Sequence, residues 1–154
     1  MMASMAEPVT WTEVASRFDH ARNSWIGTVD TAGAPHAVPI WTALVDGAIY
    51  IFGERRSVKF RNLVTNPKVV LHLESGDEVV IVRGSASDVG APGDVPAVVA
   101  AFAAKYTEPD DEQWLPHVDP SVDVMARIEP AMALLWSSDD FFASKRRWIA
   151  EPST

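Results

Sequence analysis

The chain has 154 residues and a formal net charge of -8, because 21 acidic side chains outnumber 13 basic ones. That length matches one domain, which we assign to residues 1–154. A hydrophobic fraction of 47% excludes a wholly disordered chain, and no apolar run approaches the roughly 20 residues that a membrane span requires. The absence of cysteine excludes disulfides, thiol nucleophiles and iron–sulfur ligation.

The charge distribution and the N-terminal residues narrow the location and the partners. Met1–Val9 contains no basic segment followed by an apolar one, which predicts a cytoplasmic protein. An acidic chain repels nucleic acid and anionic membranes, so neither is an expected partner. The basic side chains are nevertheless grouped. Five of the thirteen lie within fourteen residues, namely Arg55, Arg56, Lys59, Arg61 and Lys68, and three more stand at residues 145–147.

The first half of the chain predicts one helix and a β-meander. Apolar residues recur at steps of three and four over Thr10–Asn23, which is typical of an amphipathic helix with Thr10 or Thr12 as its cap. Three strands follow, at Ser24–Val29, Pro35–Val45 and Ala48–Phe52. The pair Asp46-Gly47 predicts a hairpin turn between the last two, because glycine accepts a positive φ.

The second half adds two helices and further strands. We predict a short helix over Ser57–Val64, a hairpin of Lys68–Glu74 with Glu78–Val89, a helix over Val95–Tyr106, and strands at Val122–Glu129 and Ala131–Trp136. Gly84 is expected at a bend or bulge, and Pro130 at a kink or an edge. About six or seven consecutive strands with three short helices favour a mainly β, antiparallel barrel over a doubly wound sheet.

Several catalytic chemistries find no support in the sequence. The four histidines are scattered at positions 20, 36, 72 and 117, and no nucleophile motif or Walker sequence is present. An acidic stretch around Asp110, Asp111 and Glu112, with His117 and Asp119 close behind, lacks the spacing of metal ligands. We therefore favour a solvated acidic loop there and predict no metal site.

The strongest functional signal is the segment from Gly53 to Leu63, which joins a strand to a short helix. Free backbone N–H groups at the helix start, the Ser57 hydroxyl and the Lys59 ammonium can surround one anion, and a phosphate is the natural guest. A solvated basic helix that balances nearby acids explains the same residues. Residue chemistry alone leaves both interpretations open.

Motifs along most of the chain resemble a known family. Ser57 to Leu71 reads S-x-K-x-R-N-L-x-x-N-P-K-V-V-L, and it is followed by an E-S-G-D-E-V-V hairpin and a closing Arg147-Trp148. These features, over about residues 10–149, resemble the flavin and deazaflavin oxidoreductases of the pyridoxamine-5'-phosphate-oxidase-like split-barrel family. The resemblance implies a homodimeric, six-stranded split β-barrel whose cofactor lies in a groove between subunits.

Departures from the FMN-binding members guide the choice of cofactor. In those enzymes an Arg-Lys pair follows the serine and two more cations stand on the long second strand, whereas this chain has Val58 and, roughly, Ala37 and Thr42. The sequence is more similar to the branch that uses coenzyme F420, a deazaflavin with a phosphate and an oligoglutamate tail. FMN remains the alternative cofactor.

The resemblance assigns roles residue by residue. Lys59 and Ser57 are expected at the phosphate, with Asn62 from the same motif. Arg55, Arg56 and Arg61 are candidates for the phosphate or the tail carboxylates. The cofactor ring is expected beside the backbone of Pro39, Ile40 and Trp41.

Two tryptophans allow two interpretations each. Trp41 is either a core residue or exposed to the groove. Trp148 either returns to the groove or acts as a hydrophobic plug beside its cationic neighbours.

The activity implied by the resemblance is hydride transfer from reduced F420 to a conjugated small molecule. The alternatives are an FMN-dependent oxidase or reductase and a non-catalytic module that binds a flavin, a deazaflavin or haem. A haem site would need His36 or His72 as the axial ligand. No essential acid or base is evident, which suits a reaction whose chemistry belongs to a cofactor.

Overall fold

The computed structural model describes residues 8–152. Residues 1–7, which belong to the segment Met1–Val9 considered above for a leader, lie outside the described residues. Helices occupy α1 Trp11–His20, α2 Val58–Thr65, α3 Pro96–Lys105 and α4 Phe141–Ser144. Strands occupy β1 Ser24–Val29, β2 Pro35–Ile40, β3 Ala43–Val45, β4 Ala48–Gly53, β5 Lys68–Leu73, β6 Glu78–Gly90, β7 Val124–Ser137 and β8 Arg146–Ile149.

All eight strands belong to one antiparallel sheet with the order β2-β1-β5-β6-β7-β4-β3, and β8 also pairs with β7. The two strands at the ends of this order, β2 and β3, are consecutive in the chain. The sheet curls into a barrel that stays open between β2 and β3, which confirms the predicted mainly β split barrel with peripheral helices. Within residues 8–152 the sheet has eight strands, more than the six or seven predicted, because one predicted strand divides, two predicted strands join into one, and β8 was not foreseen.

The predicted strand Pro35–Val45 divides at Trp41 and Thr42. The N–H of Thr42 donates to the Tyr106 hydroxyl at 3.1 Å, and the Lys105 ammonium donates to the Thr42 carbonyl oxygen at 2.8 Å. Side chains at the end of α3 thus form hydrogen bonds with the N–H and carbonyl groups of Thr42, which in a continuous strand would pair with a neighbouring strand. This exchange joins residues far apart in the chain, so local patterning does not reveal it.

The two strands predicted on either side of Pro130 form the single strand β7 instead. Its register with β6 shifts between Arg83 and Gly84, where Pro130 lies opposite Gly84 and Ala131 is left out of the pairing. A Cβ atom on Gly84 would collide with the carbonyl oxygen of Glu129. The predicted bulge at Gly84 is confirmed, and it lets the strand continue through a proline that cannot donate a ladder hydrogen bond.

The β3–β4 hairpin turns as predicted. Asp46 and Gly47 both have positive φ values, 50° and 77°, which a type I′ turn requires. The helix α1 is shorter than predicted, because Thr10 caps its start and the chain becomes extended at Ala21. The N–H of Glu13 donates to Thr10 Oγ1 at 3.2 Å.

Two hydrophobic cores support these elements. The first fills the barrel, where Val14 and Phe18 of α1 and Phe60 of α2 pack against the inward side chains of the strands. The second lies outside the barrel, where Val98 and Phe102 of α3 cover β3, β4 and the start of β7. No helix within residues 8–152 has the length and apolar character needed to cross a membrane.

Candidate functional site

The end of β4 and the start of α2 form the candidate site. A Cβ atom on Gly53 would lie 2.8 Å from Cε2 of Phe60 and 3.6 Å from Cε of Lys59, so the glycine permits a close approach of strand and helix. Asp123 fixes the turn between them. Its carboxylate accepts from the N–H of Arg55 at 2.7 Å, and its own N–H donates to the Gly53 carbonyl at 3.1 Å.

Ser57 stands at the N-cap position of α2 without capping the helix. Its side chain makes no hydrogen bond to the first turn, and its buried Oγ atom has no partner among residues 8–152. The first N–H groups of a helix lack intrahelical acceptors and carry partial positive charge. An unpaired buried hydroxyl at that position is costly unless a ligand completes it.

Lys59 extends from the first turn of α2 and is half-buried. Burial lowers the pKa of its ammonium group, and only the nearby Glu54 charge opposes that shift. The ammonium nitrogen lies 5.5 Å from the Phe60 ring centroid and makes no ion pair with any described carboxylate. A bound anion would restore the stabilisation that the ammonium loses on burial.

The neighbouring arginines are occupied to different degrees. Arg55 forms a two-pronged ion pair with Asp88, and Arg56 Nε donates to Glu54 Oε2 at 2.7 Å. These hydrogen bonds are the main reason that the pKa values of Asp88 and Glu54 lie below their ordinary values. Arg61 is exposed and has no ion pair among the described residues.

Asn62 serves the fold. It is buried, and its Nδ2 donates to Thr28 Oγ1 at 3.0 Å, which ties α2 to β1. The amide expected at the cofactor is thus already hydrogen-bonded within the protein.

A cavity of about 90 Å³ lies beside α2. Phe60, Leu63 and Val124 supply apolar wall, and the Arg55–Asp88 pair stands at the same cavity. The volume is small for a flavin ring.

The segment Pro39–Trp41 borders the split of the barrel. The β3–β4 register, which pairs Ala43 with Tyr50, runs in the direction that brings Trp41 towards Phe52 and the end of β4. Pro39 is exposed, and Ile40 is buried in the barrel core. The segment therefore approaches the β4 end from which α2 follows.

Trp41 belongs to the second core. Its ring stacks on Tyr106 with a centroid distance of 3.9 Å and an interplanar angle of 8°, so one face of the indole is covered. The guanidinium carbon of Arg22 lies 5.5 Å from the Trp41 centroid. The Trp41 side chain is therefore a core residue, as the first of the two interpretations expects, while its backbone lies at the split of the barrel.

The acidic loop is only partly solvated, which corrects our prediction for Asp111. That residue is 3% exposed, and its carboxylate accepts two hydrogen bonds from Arg22, at 2.6 and 2.9 Å. The Arg22 hydrogen bond is the largest of the effects that lower the pKa of Asp111. Asp110, Glu112 and His117 are exposed, as expected for a solvated loop.

Arg22, Lys105 and Tyr106 form a connected group that the sequence alone does not reveal. Lys105 Nζ donates to the carbonyl oxygens of Phe18 and Thr42, and the Tyr106 hydroxyl donates to the Arg22 carbonyl oxygen at 2.8 Å. The sequence shows an arginine beside the apolar stripe of α1 and a tyrosine at the end of an aliphatic helix. Neither local pattern indicates which residue the side chain contacts.

Trp148 packs within its own chain. Its ring lies 4.9 Å from Trp11, centroid to centroid, and it contacts the barrel core. Arg146 beside it pairs with Glu13 of α1 at 2.7 Å. These contacts agree with the interpretation of Trp148 as a hydrophobic plug beside cationic neighbours. Its approach to a cofactor remains a prediction.

The two candidate haem ligands lie on strands. His72 stacks parallel to Trp25, and its Nδ1 lies 2.8 Å from the carbonyl oxygen of Leu73. His36 is half-buried near the edge of the sheet on β2. Among the described residues, the candidate site at the start of α2 combines a hydroxyl, an ammonium and helix N–H groups, a set suited to binding and orienting an anion.

A protein-family model described as pyridoxamine 5'-phosphate oxidase matches residues 10–130. No curated protein matches the chain. Among solved structures, the conserved hypothetical protein Rv2991 of Mycobacterium tuberculosis is 23% identical with a TM-score of 0.70, covering 88% of this chain and 90% of its own.

Two similar structures are described as haem proteins. The heme binding protein of Mycobacterium smegmatis is 15% identical with a TM-score of 0.72, covering 94% of this chain and 60% of its own. The heme storage protein HutZ of Vibrio cholerae is 15% identical with a TM-score of 0.62, covering 77% of this chain and 88% of its own. At these identities the likeness establishes a shared fold.

Proposed function

Because the chain belongs to the pyridoxamine 5'-phosphate oxidase family, we propose that it is a reductase that uses reduced coenzyme F420 and acts on a conjugated small molecule. The deazaflavin supplies the hydride when it is bound. The protein contributes an anchor for the phosphate, a wall for the ring and a groove that selects the substrate.

The observation that carries the proposal is the unpaired polar set at the start of α2. Within residues 8–152, the buried Ser57 Oγ has no hydrogen-bond partner and the half-buried Lys59 has no carboxylate partner. A phosphate there accepts hydrogen bonds from both groups and from the helix N–H groups. These three donors favour a specific anion site over a solvated basic helix.

The charges around the site favour F420 over FMN. Val58 occupies a position where the resemblance expects a cation in FMN-binding members, which leaves Lys59 as the principal charge for a phosphate. Arg61 is exposed without an ion pair among the described residues, and Arg56 is exposed although it pairs with Glu54; we propose that both bind the carboxylates of the tail. A ligand with one phosphate and an acidic tail uses both sets, whereas FMN uses only the first.

A second copy of the chain would complete the groove. Half-buried side chains form one row across four neighbouring strands, on the side away from the barrel interior, namely Trp25, His72, Ile81 and Leu134. Such a face is commonly buried against a second subunit. We propose a homodimer through this face, with the cofactor groove between the subunits.

Parallel titration with F420 and FMN tests the proposal. We expect the wild-type protein to prefer F420, and Lys59→Ala to weaken its binding by at least about tenfold through loss of a charge-assisted hydrogen bond. Lys68→Ala is the matched control, because it removes an exposed lysine at the start of β5. Equal affinity of the wild type and Lys59→Ala for F420 would contradict the assigned site.

A non-catalytic carrier is the second candidate, favoured by the absence of a paired acid and base at α2 among the described residues. Two structural neighbours described as haem proteins extend this candidate to tetrapyrroles. Rapid mixing of the loaded protein with quinones, enones and nitroaromatic compounds separates the candidates. Tight binding of F420 without oxidation by any of them would favour the carrier.

A further inference from the structure

The link between β2 and β3 pairs with no strand within residues 8–152. Trp41 and Thr42 lie outside every strand, although their backbone joins two strands at the split of the barrel. The N–H of Thr42 and its carbonyl oxygen instead bond to Tyr106 and Lys105. The position of the Pro39–Trp41 segment therefore depends on α3 and on what holds the end of α3.

An ion pair between the buried Asp111 and the partly exposed Arg22 follows the end of α3. Asp111 binds Arg22 through both carboxylate oxygens and also accepts the N–H of Glu108 at 3.0 Å. The guanidinium carbon Cζ of Arg22 lies 5.5 Å from the Trp41 ring centroid and 5.7 Å from the Tyr106 ring centroid. The guanidinium thus contacts both stacked rings while the carboxylate fixes its position.

The pairing of one buried acid with one arginine is geometrically demanding. A two-pronged arginine–carboxylate pair fixes orientation as well as distance, which a lysine or an amide does not reproduce. Removing the arginine leaves Asp111 buried without its counter-charge, and removing Asp111 takes away the two-pronged partner of Arg22. The Trp41–Tyr106 stack is therefore coupled to Asp111.

We infer that Arg22, Tyr106 and Asp111 are positioning residues, which hold the Pro39–Trp41 segment as the wall against which a cofactor ring rests. This inference rests on the proposed function. It assigns the acidic loop a role in recognising the ring, separate from the phosphate site at Ser57 and Lys59. Damage to the loop should therefore weaken binding of the ring and leave binding of a ring-free anion unchanged.

The test compares Asp111→Asn with Asp110→Asn, an exposed neighbour that loses the same charge. For Asp111→Asn we expect the F420 dissociation constant to rise about tenfold, because a charge-assisted pair is lost. The dissociation constant for inorganic pyrophosphate, measured calorimetrically, should stay unchanged. The near-ultraviolet circular dichroism of the Trp41–Tyr106 stack should weaken, and Asp110→Asn should match the wild type throughout.

A second pair of variants covers the case in which Asp111→Asn does not fold. Arg22→Lys keeps the charge and loses the two-pronged geometry, while Tyr106→Phe keeps the ring and loses the hydroxyl bonds to Thr42 and Arg22. Both should weaken F420 binding and spare pyrophosphate binding. Unchanged F420 affinity in folded variants, or an equal loss for both ligands, would overturn the inference. Failure of the wild type to bind F420 would refute the proposed function and this inference with it.

Discussion

At the scale of single residues, the basic cluster separates into cations that are paired and cations that are not. Arg55 and Arg56 are bound to Asp88 and Glu54, whereas Lys59 and Arg61 have no ion pair among the described residues. A clustered charge in a sequence thus overstates the charge available to a ligand. Asp88 competes for Arg55 with any anion that enters the site.

Asp88→Asn tests that competition. The amide keeps the Oδ1 acceptor that binds the N–H of Gly90 at 2.8 Å, but it no longer neutralises Arg55. We expect affinity for inorganic pyrophosphate to increase by about threefold, a modest change because the pair is half-exposed. Asp139→Asn, an exposed acid in the turn before α4, controls for the net charge. An equal gain in both variants would show that net charge alone is responsible.

The residues of the candidate site differ in how far the sequence reveals them. Ser57 and Lys59 are predictable because their site is local, a strand end followed by a helix start. Asn62 belongs to the same motif, yet its burial against Thr28 depends on a strand that precedes it by 34 residues. The pairing of Arg22 with Asp111 spans 89 residues, and no periodicity in either segment specifies it.

At the scale of elements, α3 acts as a brace between α1 and the split of the barrel. Lys105 ends this helix, and its ammonium donates to Phe18 of α1 at 2.9 Å and to Thr42 at 2.8 Å. Burial lowers the pKa of Lys105 from 10.5 to about 8. The next residue, Tyr106, has its pKa raised to about 12, with burial as the largest cause.

These shifts predict how stability changes in alkali. Between pH 8 and 10.5 the unfolded chain keeps the Lys105 proton that the folded chain has lost, so the free energy of unfolding rises with pH. Above pH 10 the unfolded chain loses the Tyr106 proton that the folded chain retains, so stability falls. Partial exposure of Lys105 reduces the size of the rise.

Urea denaturation of the wild type and Lys105→Met across pH 7.5–10 measures the Lys105 contribution. We expect the difference in stability between the two proteins to grow in favour of the wild type as the pH rises. A difference that stays constant with pH would show that Lys105 does not titrate in this range.

Elements were predictable where a local pattern decides them. The Asp46-Gly47 turn and the bulge at Gly84 follow from the backbone freedom of glycine. The division of Pro35–Val45 did not follow, because the competing hydrogen-bond partners come from α3. The four residues of β8 show no clear alternation of apolar and polar side chains in the sequence. They form a strand because they pair with β7.

At the scale of the whole molecule, the described residues cover one part of the outer surface of the barrel with a helix and leave another part uncovered. Helix α3 covers β3 and β4. The row formed by Trp25, His72, Ile81 and Leu134 lies on strands β1, β5, β6 and β7 instead. The proposed homodimer would bury that row.

Ile81→Lys tests the dimer. A lysine in the middle of the row places a charge in an apolar interface, and we expect sedimentation to show a shift from dimer to monomer. Val64→Lys introduces the same charge on α2, at a side chain that is 86% exposed, and should leave the oligomeric state unchanged. A wild-type protein that sediments as a monomer would contradict the proposed dimer directly.

The pairing of β4 with β7 has a consequence for how the barrel comes into existence. Ile49 pairs with Ile128, so the second edge of β4 can form its hydrogen bonds only after most of the chain has been synthesised. Closing so long a loop is slow compared with forming the β3–β4 hairpin. In the nascent chain, the apolar strand β4 therefore keeps one unpaired edge until β7 leaves the ribosome. Closure of the barrel belongs to a late stage of folding.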